Sequence, residues 1–148
     1  MLARLARWLR VLGWDTRLDP ELPDPGIVAL ANAEGRILLT RDRGLLREVQ
    51  PRQALEITQD QPLAQLAHVV RELKLDAPPE LFTRCTVCNT PLSAPLSTAD
   101  RARLLPPDVQ ALAGPARACP GCGRVYWPGS HARRMRAALD RTFPGWLR

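Results

Sequence analysis

Apolar positions at helical spacing open the chain. At 100° per residue, Leu2, Leu5, Leu9 and Leu12 share one face, which predicts an amphipathic helix over residues 2–12. Arg4, Arg7 and Arg10 fall on the opposite side, and Gly13 suits the left-handed residue that ends such a helix. Residues 15–18 read as a short strand and the proline- and acid-rich residues 19–25 as a loop. Asp24 followed by Pro25 predicts a second helix, with Asp24 as its N-cap. Ile27, Leu30, Ala31 and Ala33 give that helix a modest apolar face, and Gly35 ends it. The run Ile37-Leu38-Leu39 suits a buried strand, with Thr40, Arg41 and Asp42 at its C-terminal end. A short helix over 44–49 and a weak strand over 54–58 follow. Asp60 is then expected to cap a helix that buries Leu63, Leu66, Val70 and Leu73 and turns His68 outward.

The pattern changes after residues 76–80, a linker with two prolines. Strand and helix alternate before it, which predicts an α/β domain with a mostly parallel sheet over residues 1–79. Cysteine, glycine and turn residues dominate from 80 onward, and residues 80–148 form a second module. Ser130 is expected to cap its closing helix, near 131–141, with Met135 and Leu139 on one face and Arg133, Arg134 and Arg136 making it strongly basic. Residues 93–115 lack periodicity and are expected to be a mobile insertion.

Charge adds a partner class. The formal net charge is +6, and Lys74 is the only lysine, so arginine supplies nearly all the positive charge. Guanidinium forks match phosphate and stack on bases, which favours a nucleic-acid partner. Arg4, Arg7, Arg10, Arg133 and Arg134 are the candidate phosphate contacts. No apolar stretch is long enough for a membrane span, and arginines interrupt the first apolar block where a signal peptide would be continuous. A cytoplasmic protein is expected.

Cysteine spacing adds a metal. Cys85 and Cys88 form one C-x-x-C pair, and Cys119 and Cys122 form a second after a 30-residue gap. Two intervening residues let both sulfurs of a pair face one ion. Four thiolates complete a tetrahedral Zn²⁺ shell with no open position, so the site is structural. Disulfides do not suit a cytosolic chain, and a redox centre would need only one pair.

Asp24 and Asp42 supply a different chemistry. Carboxylates at the C-terminal edge of a parallel sheet suit Mg²⁺ or Mn²⁺, which activate water for phosphodiester cleavage. On spacing alone, Asp24 is equally a plain cap and Asp42 a turn residue.

Three segments carry a family resemblance. They are Leu2-Ala3-Arg4-Leu5-Ala6-Arg7-Trp8-Leu9-Arg10, Gly35 through Arg43, and Cys119-Pro120-Gly121-Cys122-Gly123-Arg124-Val125-Tyr126-Trp127-Pro128-Gly129-Ser130-His131. Together and in this order they resemble the Mut7-C ribonuclease family. The resemblance implies a PIN-like three-layer nuclease domain with a zinc ribbon, and RNA as substrate. It implies Asp24 and Asp42 as Mg²⁺ or Mn²⁺ ligands, with Thr40 supporting them by hydrogen bonding. PIN-like domains begin with a strand that ends in an aspartate. Here a helix begins at Met1, so that strand and carboxylate are expected upstream or lost, with Asp15, Asp19 and Glu21 as nearby acids. Three functions follow as expectations. The first is a metal-dependent endoribonuclease. The second is a catalytically impaired RNA-binding zinc-ribbon protein. The third is a protein-docking module that uses Trp127 and Trp146.

Overall fold

A computed structural model describes residues 2–147. The elements in order are α1 (Ala3–Val11), α2 (Asp24–Glu34), β1 (Leu38–Thr40), α3 (Arg43–Glu48), β2 (Ala54–Glu56), α4 (Pro62–Glu72), α5 (Thr98–Leu104), β3 (Arg117–Ala118), β4 (Val125–Tyr126) and α6 (Ser130–Thr142). A single 3₁₀ turn covers Pro107–Val109. The fold is α/β with one small parallel and one small antiparallel sheet. The chain divides into two compact units. One comprises the residues up to Leu5 with Arg17–Leu75, and the other Ala6–Thr16 with the residues from Asp76 onward.

The first unit centres on a β-α-β crossover. β1 and β2 pair in parallel, with Leu39 opposite Leu55. Leu38 N–H donates to Gln53 O at 2.9 Å and Ile57 N–H to Thr40 O at 2.7 Å. Parallel strands need a crossover, and α3 supplies it. Val28 and Ala31 of α2 pack with Leu38 and Leu45, and Ile27 closes the cluster. Each such apolar side chain contributes about 1.5–3 kcal/mol on burial.

Several expectations shift by a residue or a face. Asp24 is the first residue of α2, with Pro23 as N-cap, so its carboxylate is not the cap. Gln61 rather than Asp60 precedes α4, and Asp60 instead pairs with Arg41 at 2.9 Å. α4 buries Gln65, Leu66 and Val69. That rotation draws His68 partly inward, where its Nε2 lies 3.1 Å from Glu56 O. Residues 15–18 form no strand. Thr16 N–H donates instead to the Asn89 side chain at 2.9 Å, and no neighbouring strand is needed to satisfy it.

The second unit is built around two cysteine turns. β3 and β4 pair antiparallel about the second turn. The first turn is closed by an antiparallel bridge between Arg84 and Pro91. Ser93 N–H donates to Ala118 O and Leu96 N–H to Ala116 O, which ties the two halves together. Residues 93–115, expected to be mobile, are instead ordered around α5. Ser97 caps α5 by accepting the Asp100 N–H at 3.1 Å. Arg101 then donates to the carbonyls of Gln110, Leu112 and Gly114. One guanidinium therefore organises a loop that has almost no apolar periodicity. Arg101→Ala is expected to destabilise this segment by about 1–3 kcal/mol, since several partly buried carbonyls lose their donor. Hydrogen exchange should rise across residues 98–114 and stay unchanged over α2 and α4.

Candidate metal centre

The two cysteine turns share one design. Each runs C-x-x-C and then a residue with positive φ, Asn89 at 71° and Gly123 at 80°. Cys85 N–H donates to Thr90 O and Cys119 N–H to Arg124 O, both at 2.8 Å. Asn89 N–H returns to Cys85 O and Gly123 N–H to Cys119 O. Cys88 N–H and Cys122 N–H point at the sulfurs of Cys85 and Cys119, at 3.5 and 3.4 Å. The left-handed residue turns the chain back sharply enough for the first cysteine's N–H to close the loop, and only Gly or Asn adopts that conformation readily. The sequence shows no repeat here beyond the cysteine spacing; the repetition is in the backbone.

The turns face each other. Cys85 Sγ lies 3.7 Å from Cys122 Sγ, and Cys88 Sγ 3.4 Å from Cys119 Sγ. All four sulfurs lie within 4.8 Å of one another. Four sulfurs at about 2.3 Å from one Zn²⁺ stand about 3.8 Å apart in a tetrahedron, so the cage fits that ion. The cysteines are free thiols, and their separations are far beyond the roughly 2.05 Å of a disulfide.

Neighbouring groups favour thiolates. The Thr90 hydroxyl, 3.2 Å from Cys88 Sγ, and the Thr90 N–H bring the Cys88 thiol down to about 6. Burial opposes ionisation of Cys85, but the Tyr126 hydroxyl and the N–H groups of Cys88 and Val87 outweigh it and hold this thiol below its ordinary value. Tyr126 Oη lies 3.0 Å from Cys85 Sγ and accepts the Thr86 N–H at 3.1 Å. Accepting there leaves its own proton for the sulfur. Burial, and then Cys85, raise the pKa of Tyr126, so the phenol keeps that proton.

Arg10 braces the first turn from behind. It is 6% exposed. Its Nε donates to Thr16 O at 2.9 Å and its Nη1 to Thr86 O and Val87 O at 3.0 and 3.2 Å. The peptides that carry those last two carbonyls also carry the Val87 and Cys88 N–H groups. In a trans peptide C=O and N–H point opposite ways. Drawing the carbonyls to Arg10 therefore aims both N–H groups at Cys85 Sγ. Arg10, expected to face phosphate, is instead buried, with Nε and Nη1 donating to carbonyls inside the protein. Arg4, Arg7, Arg133 and Arg134 are exposed.

The acidic residues form a separate feature in the first unit. Asp24 and Asp42 line one surface cavity of about 400 Å³ together with Pro25, Gly44, Leu45, Glu48 and Val49. Asp42 caps α3 by accepting the Leu45 N–H at 3.2 Å. Thr40 Oγ1 accepts the Asp42 N–H at 3.0 Å, which orients that cap. Among the described residues no group of three carboxylates is spaced to hold an ion; the four cysteines alone form such a group. Sequence reasoning missed Glu48, whose only signal is its place six residues after Asp42 on a short helix. It also missed Thr90 and Tyr126, because supporting residues are not marked by spacing.

A Cys₄ cluster suited to one metal ion, in a chain that also carries a small α/β unit, defines a candidate structural metal-binding protein. The model of the Mut7-C RNAse domain matches residues 1–139, and the chain belongs to that family. No curated protein and no solved structure matches it. Among the described residues, no helix is long and apolar enough to cross a membrane.

Proposed function

We propose that this protein binds RNA, using a zinc ribbon to hold a basic helix, and cleaves RNA poorly or not at all as an isolated chain. The carrying observation is α6. Leu139 is its buried residue, and Arg133, Arg134 and Arg141 are exposed on the far side. The helix begins four residues after β4, so a metal that staples the second cysteine turn also fixes the helix start. Zn²⁺ is the ion whose tetrahedral thiolate preference the sulfur cage suits best. A cytoplasmic setting accords with four free thiols.

The family supports a PIN-like reading of the first unit. On that reading Asp24 and Asp42 would hold Mg²⁺ or Mn²⁺ with Thr40 in support, and the protein would be an endoribonuclease. One observation favours it, the cavity that Asp24 and Asp42 share with Glu48. No set of three carboxylates gathers there, which weighs against efficient cleavage, because metal ligation and in-line attack are served by several acids around the ion.

Fluorescence anisotropy with labelled single-stranded RNA tests the proposal. Binding should weaken steeply with salt. Replacing Arg133 and Arg134 together by glutamine should flatten the slope of log K against log salt by about 1.4, two phosphate contacts at about 0.7 each. Absence of RNA binding at low salt would overturn the reading. Cleavage in Mn²⁺ that disappears in Asp42→Asn would transfer the conclusion to the endoribonuclease.

A further inference from the structure

Trp14 is the most exposed tryptophan position that the backbone holds rigidly. Gly13, at φ 92°, ends α1 in a left-handed turn. Gly13 N–H donates to Arg10 O at 2.9 Å and Trp14 N–H to Leu9 O at 3.0 Å, the paired bonds of a Schellman cap. Trp14 O in turn accepts the Thr16 hydroxyl at 3.0 Å. A residue at this place ordinarily packs on the residue five before it. Leu9 is buried, yet Trp14 remains 41% exposed.

The segment that carries Trp14 lies along the first cysteine turn. Arg10 bridges Thr16 O to Thr86 O and Val87 O. Asn89 accepts the Thr16 N–H and donates to Asp15 Oδ1 at 2.7 Å, which occupies the one acid of the segment. Arg84 donates to Gly13 O and Asn89 O. The tip of that turn is Val87, 45% exposed. Arg7, one helical turn before Arg10, is exposed as well. The segment and the turn it is bonded to therefore carry an exposed indole on a fixed backbone, an exposed Val87 and the exposed cation Arg7.

Size and charge choose the occupant. A stable protein interface buries about 800 Å² on each partner, far more than an indole and an isopropyl group offer. A nucleobase needs one aromatic face, and its phosphate needs a nearby cation. We infer that Trp14, on the segment hydrogen-bonded to the first cysteine turn, is a stacking platform for an unpaired base of single-stranded RNA, with Arg7 engaging a phosphate of the same strand. The inference rests on the RNA-binding reading and names the form of RNA. Duplex RNA keeps its bases stacked inside and cannot use the platform.

The test uses the full zinc-loaded chain with a fluorescent oligouridylate and, separately, an RNA duplex. Trp14→Ala should weaken oligouridylate binding roughly tenfold or more, the effect of losing one stacked base. It should leave the salt slope and duplex binding unchanged, while Trp14→Phe retains most of the affinity. Arg7→Gln should instead flatten the salt slope. Oligouridylate should quench tryptophan emission in the wild type and lose much of that effect in Trp14→Phe. Zinc content and circular dichroism confirm that each variant folds. Wild-type binding with unchanged affinity in Trp14→Ala overturns this inference alone, and is the result expected if the patch serves a protein. Equal loss of single-strand and duplex binding also overturns it. No binding of any RNA by the wild type overturns the RNA reading with it.

Discussion

Cys85→Ser is expected to release the metal and unfold the second unit. Cys85 is fully buried, and its sulfur collects the Tyr126 hydroxyl and two backbone N–H groups. A serine oxygen is a poor, short ligand for Zn²⁺ and leaves three sulfurs to share the charge. Structural zinc contributes about 10–16 kcal/mol in small zinc peptides, which equals or exceeds the whole stability of an ordinary domain. Removing it is expected to cost the unit formed by Ala6–Thr16 and the residues from Asp76 onward most of its stability. The wild type should contain near one zinc per chain, and a strong chelator should reproduce the variant's loss of structure. Hydrogen exchange should show α5 and α6 losing protection together. A Cys85→Ser protein that keeps both its metal and its melting transition would remove the structural role from the cluster.

Arg10→Met is the second large effect. Methionine keeps most of the apolar stem and deletes the fork. Three carbonyls, those of Thr16, Thr86 and Val87, then lose their donor in a partly buried setting. Each buried orphan costs about 1–3 kcal/mol, and partial access to water lowers the total, so a loss of about 3 kcal/mol is expected. The metal should feel it too. With the carbonyls released, the Val87 and Cys88 N–H groups are no longer aimed at Cys85 Sγ. Loss of such outer support commonly weakens metal binding about 10–100-fold. Arg10→Lys should behave nearly as badly, because one ammonium on a flexible stem cannot span three carbonyls. Urea unfolding of the loaded chain and competition with a zinc indicator measure the two effects. An unchanged midpoint together with unchanged zinc affinity would show that Arg10 merely fills space.

Some of this was open to inspection in the linear order of residues. The periodicity of Leu2, Leu5, Leu9 and Leu12 located α1, and Gly13 marked its end, because helix geometry and left-handed caps are local properties. The two C-x-x-C pairs identified a metal cluster, because two such pairs supply the four thiolates that a closed tetrahedral site needs. The boundary residues of α2 and α4 were harder. Asp24 and Asp60 are good capping types, yet Pro23 and Gln61 hold those positions, since the deciding contacts come from other parts of the fold. α5 escaped notice because it is short, buries none of its residues and depends on Arg101 reaching nine to thirteen residues along the chain. Its one local sign was Ser97 three residues before Asp100.

The cysteine cluster therefore belongs to both levels. Ligand identity, ligand count and the closed shell follow from residue type and spacing alone. So do the cationic character of the chain and its helical segments other than α5. Tertiary structure decided which groups support those ligands and which arginines are free. On a helical wheel Arg4, Arg7 and Arg10 are equivalent. In the fold Arg10 is enclosed by carbonyls from residues 6, 76 and 77 positions away, while Arg4 and Arg7 remain at the surface. It likewise brought Glu48 to the cavity of Asp24 and Asp42 without bringing the three carboxylates together. Periodicity reports which residues share a face of one element. What that face meets depends on residues far along the chain, and a guanidinium suits water, phosphate and a ring of carbonyls equally well until the fold chooses among them.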